Sequence, residues 1–134
     1  MNMMERNTVK PTFSEEDKAY ARALLVALQP FLDVRPTMPL QYVTTFLRVV
    51  ADEGKGVSDY ATAARISKTV ATRHLLDIGE RSRDHSEGFG WVYQKRDIHD
   101  LRINRTYGTP EGKALWRAVV DRLKTLGALV STRH

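Results

Sequence analysis

The chain has 134 residues, 42% of them apolar and 28% charged, which suits one globular domain with a modest core. It holds no cysteine, which excludes thiol redox chemistry, disulfide staples and cysteine-based zinc sites. Net charge is +5, and its placement is uneven: residues 1–53 carry six Lys/Arg against seven Asp/Glu, residues 54–110 ten against seven, and residues 111–134 five against two. The basic excess therefore lies in the second half, which is compatible with a polyanionic partner, although many small soluble proteins are mildly basic.

Residues 1–11 read as a flexible polar tail ending at Pro11, and residues 12–134 as a single domain. The tail lacks a signal-peptide core and no apolar run approaches a membrane span, so no membrane association and a cytoplasmic location are expected. Asn104-Arg-Thr106 matches a glycosylation sequon, read as chance without a secretory signal. A first helix is predicted from Thr12 or Ser14, with Glu15, Glu16 and Asp17 at the positive end of its dipole. Tyr20, Leu24, Leu28 and Phe31 recur along it at helical spacing, joined by Leu25 and Leu32, and Pro30 and Pro36 are expected to break it. A second helix runs from Pro39 to about Asp52, with Leu40, Val43, Phe46, Leu47 and Val50 as its apolar positions. Residues 52–56 form a turn.

Ser58 is expected to cap a third helix over residues 59–65. After a turn at Ile66, Ser67 caps a fourth helix that runs to about Ile78 and stops at Gly79. Residues 81–90 are polar and show no period. Residues 91–95 and 101–107 have strand composition, with residues 97–100 as the tip between them. Thr109-Pro-Glu opens a last helix, with Leu115, Trp116, Val119, Val120, Leu123 and Leu126 on one stripe and Gly127 at its end. There is no internal repeat. The fold class is mainly α with a small β-hairpin.

The third and fourth helices have helix-turn-helix spacing. Ala61 sits where such helices cross closely, Tyr60, Ala64 and Ile66 fill the space between them, and Ala71, Leu75 and Ile78 face the core. Arg65 holds the turn position where glycine is commonest, and Ala71 is smaller than the usual Val or Ile. Ser67, Lys68, Thr69, Thr72 and Arg73 are left on the outer face. Arginine can bond guanine in a bidentate way, lysine reaches phosphate or guanine, and hydroxyls serve either role. A plain helical hairpin with a solvated polar face has the same spacing. The charged hairpin that follows, with Lys95, Arg96, Asp100, Arg102 and Arg105, decides between them. A helix-turn-helix, then a basic ribbon, then a helix is the order of a winged helix.

Asp97-x-x-Asp100-x-Arg102-x-x-Arg105-x-x-x-Thr109-Pro-Glu-Gly112 resembles the wing signature of MarR-type winged-helix transcription regulators. Residues 86–92 resemble the segment entering that wing, and residues 67–79 its recognition helix; the likeness covers roughly residues 38–115. The resemblance implies a homodimer built from the terminal helices, a fourth helix in the major groove, and Arg102 at the minor groove with Asp100 as its positioning partner. On a strand, a carboxylate two residues away lies on the same face and can orient a guanidinium. The family pattern places two long helices after the wing, whereas 25 residues follow Thr109 here.

Other chemistry finds little support. His74, His85, His99 and His134 form no pair at metal-ligand spacing, so no metal and no cofactor are expected. His74 reads as a partly buried packing residue or a phosphate contact. Asp52-Glu53 and the 15–17 acidic run are solvated helix ends, and Trp91 and Trp116 are core. Neither a phosphate-cradling loop nor a nucleophile motif is present, so an enzyme is not expected. The reading is a sequence-specific double-stranded DNA binder that regulates transcription as a homodimer, with repression the expected mode. The alternatives are a winged helix that binds protein, as an adaptor or anti-repressor, and an architectural DNA binder without sequence preference. The operator and any small-molecule effector are not legible.

Overall fold

A computed structural model describes residues 9–10, 12–80 and 87–131. Most of the expected tail, the greater part of the polar stretch before the wing, and His85 and His134 lie outside them. The first helix, α1, spans Glu15–Val34. Ser14 starts it with a reciprocal cap: its Oγ accepts from the Asp17 N–H and the Asp17 carboxylate accepts from the Ser14 N–H, both at 3.0 Å. Pro30, expected to break the helix, lies buried inside it. Its ring removes the one bond to the Val26 carbonyl, and the burial of the neighbouring Phe31 in the core outweighs that loss. The break comes at Arg35, which is extended because Pro36 follows it.

Helix α2 spans Leu40–Ala51 and buries Val43, Phe46 and Val49. Leu40, expected to face inward, is 67% exposed in the first turn. Helix α3 spans Val57–Ala64 and starts earlier than expected. Its N-cap is Gly56, whose N–H donates to the carboxylate of Asp59 in the first turn at 3.1 Å; Ser58 lies inside the helix. Arg65 ends α3 in the left-handed region, at φ 58° and ψ 42°. The turn thus has the glycine-like backbone with a larger residue in place. Helix α4 spans Lys68–Ile78, capped by the Ser67 Oγ accepting from the Val70 N–H at 3.1 Å. Tyr60 and Ala61 are buried where α3 and α4 meet, and Ile66 sits at the margin, 36% exposed.

Strands β1 (Val92–Arg96) and β2 (Asn104–Gly108) pair antiparallel, from Val92 opposite Gly108 to Arg96 opposite Asn104. The tip is longer than expected, because residues 101–103 are drawn into local bonds and leave the strand. The Ile103 N–H donates to the Asp100 carbonyl at 3.0 Å and the Asp97 N–H to the Ile103 carbonyl at 2.8 Å. The segment read as a turn after α2 adds a third edge to the ribbon: the Gly54 N–H donates to the Thr106 carbonyl at 2.8 Å and the Thr106 N–H to the Lys55 carbonyl at 3.1 Å. The wing is thereby joined to the link between α2 and α3.

Helix α5 spans Pro110–Ser131 and runs through Gly127, its expected end. A glycine inside a helix costs only about 1 kcal/mol, too little to stop one by itself. The helix packs along α1. No helix among the described residues is long and apolar enough to cross a membrane. The core gathers Phe31, Phe46, Val49, Tyr60, Leu75, Ile78, Val92 and Val119 around Trp91. The indole lies 5.7 Å from the Phe31 ring, 5.2 Å from Phe46 and 5.0 Å from Phe89. Trp116 is only partly buried.

The start of α5 explains the Thr-Pro-Glu-Gly sequence. Thr109 Oγ1 accepts from the Gly112 N–H at 2.9 Å and donates to the Gly90 carbonyl. At Gly112 a Cβ would lie 2.0 Å from the Trp91 carbonyl oxygen, so only glycine lets the first turn settle onto the backbone entering the wing. Gly112→Ala must push α5 off that backbone. It is expected to cost about 1–3 kcal/mol, the range for overpacked sites, read as a lower midpoint in urea with the slope unchanged.

Candidate nucleic-acid interface

The core-facing residues of α4 decide what it offers outward. With Ala71, Leu75 and Ile78 buried, Ser67, Lys68 and Thr69 are exposed and Thr72 and Arg73 partly so. Ser67 Oγ is engaged as the cap, and Thr72 Oγ1 donates to the Lys68 carbonyl at 2.8 Å. Among the described residues, no hydrogen bond or ion pair ties down the side chains of Lys68, Thr69 or Arg73. They are available to a ligand.

The strand register separates the wing candidates. Arg96 pairs with Asn104 and Lys95 with Arg105, so Lys95 and Arg96 point to opposite faces of the ribbon. Gln94, Arg96 and Asn104 share one face. Gln94 and Asn104 border an open groove of about 450 Å³ between α3, α4 and the wing, together with Ser58, Lys68, Thr72 and Arg102. Sequence reasoning missed Ser58, Gln94 and Asn104. Alternation along β1 carries the signal for Gln94, but the register of β2 is needed to place Asn104 opposite α4.

Two Asp–Arg pairs organise the wing. Arg102 is 90% exposed, and its Nε and Nη2 donate to the two Asp100 oxygens at 3.0 and 3.1 Å. The Arg102 N–H also donates to Asp100 Oδ1, at 3.1 Å. The pair lies in the tip turn, so a local turn, and not the common face of a strand, brings the groups together. Arg102 holds the Asp100 carboxyl below its ordinary value, and Asp100 raises the guanidinium. Arg105 behaves differently. Its Nε and Nη2 reach Asp97 Oδ2 at 2.8 and 2.7 Å and its Nη1 reaches the Gly54 carbonyl at 2.9 Å. That guanidinium faces the protein and clamps the wing to the segment before α3. The His99 N–H, and then Arg105, hold the Asp97 carboxyl below its ordinary value. Both carboxylates have depressed values, so this bracing is present above the usual carboxylate range and is lost as pH falls through it, near about pH 4 and below.

His74 sits beside Arg73 on α4. Its ring meets Tyr42 edge-on at 5.9 Å, and the Tyr42 hydroxyl donates to Asp77 Oδ2 at 2.8 Å. Its Nδ1 is buried with no hydrogen-bond partner among the described residues. Of the two readings open from the sequence, this is packing. Burial pushes the imidazole below its ordinary value and Arg73 adds to that, with Asp77 opposing. Among the described residues no group of three His, Cys, Asp or Glu could hold a metal ion.

No protein-family model matches the sequence, and a search of curated proteins finds no match. Solved structures do share the fold. A mutant of MepR from S. aureus, solved bound to an oligodeoxyribonucleotide, is 15% identical over 86% of this chain and 78% of its own, with a TM-score of 0.63. A MarR-like transcriptional regulator from Thermotoga maritima is 15% identical over 100% of this chain and 84% of its own, with a TM-score of 0.64. A MarR transcriptional regulator from Methanosarcina mazei is 16% identical over 87% and 77%, with a TM-score of 0.56. The fold is the MarR-type winged helix: helices carrying a helix-turn-helix, with a two-stranded hairpin as the wing.

The lowered value of His74 makes stability depend on pH with a definite sign. Between that value and the ordinary imidazole value of about 6.5, the unfolded chain holds a proton the folded chain lacks, so stability falls as pH drops through this window. Thermal melts at about pH 7.5 and about pH 5.5 should show a smaller loss for His74→Leu than for the unmodified protein. Equal losses would mean that the imidazole titrates as if in water.

Proposed function

We propose that this protein binds double-stranded DNA sequence-selectively as a homodimer and regulates transcription, with repression the expected mode. The observation that carries this is the shared groove between α4 and the wing, where Lys68, Thr72 and the held Arg102 converge. α4 would lie in the major groove, with Arg73 reading a base edge and Ser67, Lys68, Thr69 and Thr72 fixing register through phosphates and base edges. Arg102, oriented by Asp100, would enter the negative potential of the minor groove. Arg96 would contact the backbone from the face it shares with the groove, and Lys95 from the opposite face. Arg105 is better placed to hold the wing than to touch DNA. That MepR was solved with an oligodeoxyribonucleotide in the same fold supports the reading.

Residues 12–134 would act as one domain, with dimerisation through the terminal helices. Tyr20, Leu24 and Leu25 on α1 are 59%, 60% and 60% exposed and Leu123 on α5 is 47% exposed, an apolar face that a second subunit would cover. A cytoplasmic, non-enzymatic regulator fits these roles.

Selection of bound fragments from genomic DNA tests the reading directly; enrichment of one motif supports it, and no enrichment overturns it. On the selected site Arg73→Ala should cost about 1–3 kcal/mol, and much less on random DNA. Equal losses on both would leave Arg73 a phosphate contact. Arg102→Ala and Asp100→Ala should both weaken binding with folding intact; stronger binding by Asp100→Ala would remove the positioning role. Sedimentation should give a dimer, and the protected site should be a pseudo-palindrome with half-sites about 10 base pairs apart or a multiple of that. A monomer on an asymmetric site would refute the dimer.

A further inference from the structure

The tip of the wing leaves two aliphatic side chains in water. Ile98 is 78% exposed and Leu101 63% exposed, although both lie within a few residues of the hairpin strands. Neither helps hold the turn. The turn is held by polar bonds: Asp97 N–H to the Ile103 carbonyl at 2.8 Å, Ile103 N–H to the Asp100 carbonyl at 3.0 Å, and His99 N–H to Asp97 Oδ1 at 2.8 Å. Arg105 fixes Asp97 to the body of the protein. The apolar side chains therefore stand on a braced knob, so ordering it on contact costs little.

The charge around them selects the partner. Residues 95–105 hold Lys95, Arg96, Arg102 and Arg105 against Asp97 and Asp100, a net of +2. Leu101 is flanked by Asp100 and by the 90% exposed Arg102. An apolar protein surface gives no reason for that cationic surround, and a polyanion does. On duplex DNA, aliphatic side chains beside arginines act as wedges: they enter a base step from the minor groove, unstack it and kink the helix.

We propose that Leu101 is such a wedge, entering a base step beside Arg102 and bending the bound DNA, with Ile98 packing on the sugar edges next to it. The proposal rests on the DNA-binding reading above and adds an activity to it, deformation of the site. The preferred step would be a flexible pyrimidine–purine step, whose unstacking costs least.

The test uses the full chain and a duplex carrying the selected site, with donor and acceptor dyes at its ends and 2-aminopurine placed in turn at each minor-groove step under the wing. Binding should raise energy transfer, as a kink of about 20–90° requires, and brighten 2-aminopurine at one step per wing. Leu101→Ala and Ile98→Ala alter exposed side chains, so the fold should be unchanged by circular dichroism. Leu101→Ala should abolish the brightening and most of the bend, and Ile98→Ala should weaken both. A mismatch at the brightened step, which lowers the unstacking cost, should tighten binding of the unmodified protein several-fold and leave Leu101→Ala unaffected. A straight duplex with a clear footprint would overturn the wedge and leave DNA binding standing. An unchanged bend with Leu101→Ala would also overturn it, as would a change of oligomeric state in that variant. No binding to any duplex would overturn both.

Discussion

Trp91 is the joint on which the remaining elements depend. Its indole occupies the aromatic cluster that α1 and α2 supply through Phe31 and Phe46. Its backbone N–H donates to the Ile78 carbonyl at 2.8 Å, where α4 ends, and its carbonyl accepts from the Thr109 N–H at 3.0 Å, where α5 begins. Gly112 then brings α5 down onto the same carbonyl. One residue thus sets the position of α4, the first strand of the wing and the last helix against a common core. A large buried aromatic suits this role, because it contributes much contact area at low cost in rotamer freedom.

The two Asp–Arg pairs of the wing divide the work of holding and presenting. Arg105 and Asp97 are partly sheltered, and their bonds reach back to the protein. Arg102 and Asp100 sit in the open. An exposed ion pair adds little to stability, yet a bidentate contact limits the directions a guanidinium can take. The sheltered pair therefore fixes where the tip is, and the exposed pair fixes how its arginine points. Of the four residues, Arg102 lines the groove beside α4.

Much of this is legible in the sequence alone. The order of elements, the Ser67 cap, the Thr109 cap and the core face of α4 follow from caps and periodicity, which act over a few residues. Several departures come from non-local contacts. Pro30 stays helical because Phe31 is buried by residues far along the chain. Residues 54–56 pair with β2 from far along the chain, and no local pattern marks that. Arg105 looks like any wing cation until its partner at Gly54 is known. Gln94 and Asn104 carry no charge to draw notice, and only register sets Asn104 against Lys68. The Asp100–Arg102 pairing was visible as a motif, but its geometry belongs to a turn and not to a strand.

The clamp between Arg105 and the Gly54 carbonyl joins residues 51 apart in sequence. A lone two-stranded hairpin is marginal in water, and here its third edge comes from the far side of the helix-turn-helix. Closing a contact of that separation costs chain entropy that a lone hairpin would not meet, and the core of the protein meets it here. The hairpin and the link before α3 are therefore expected to lose order together, as one unit.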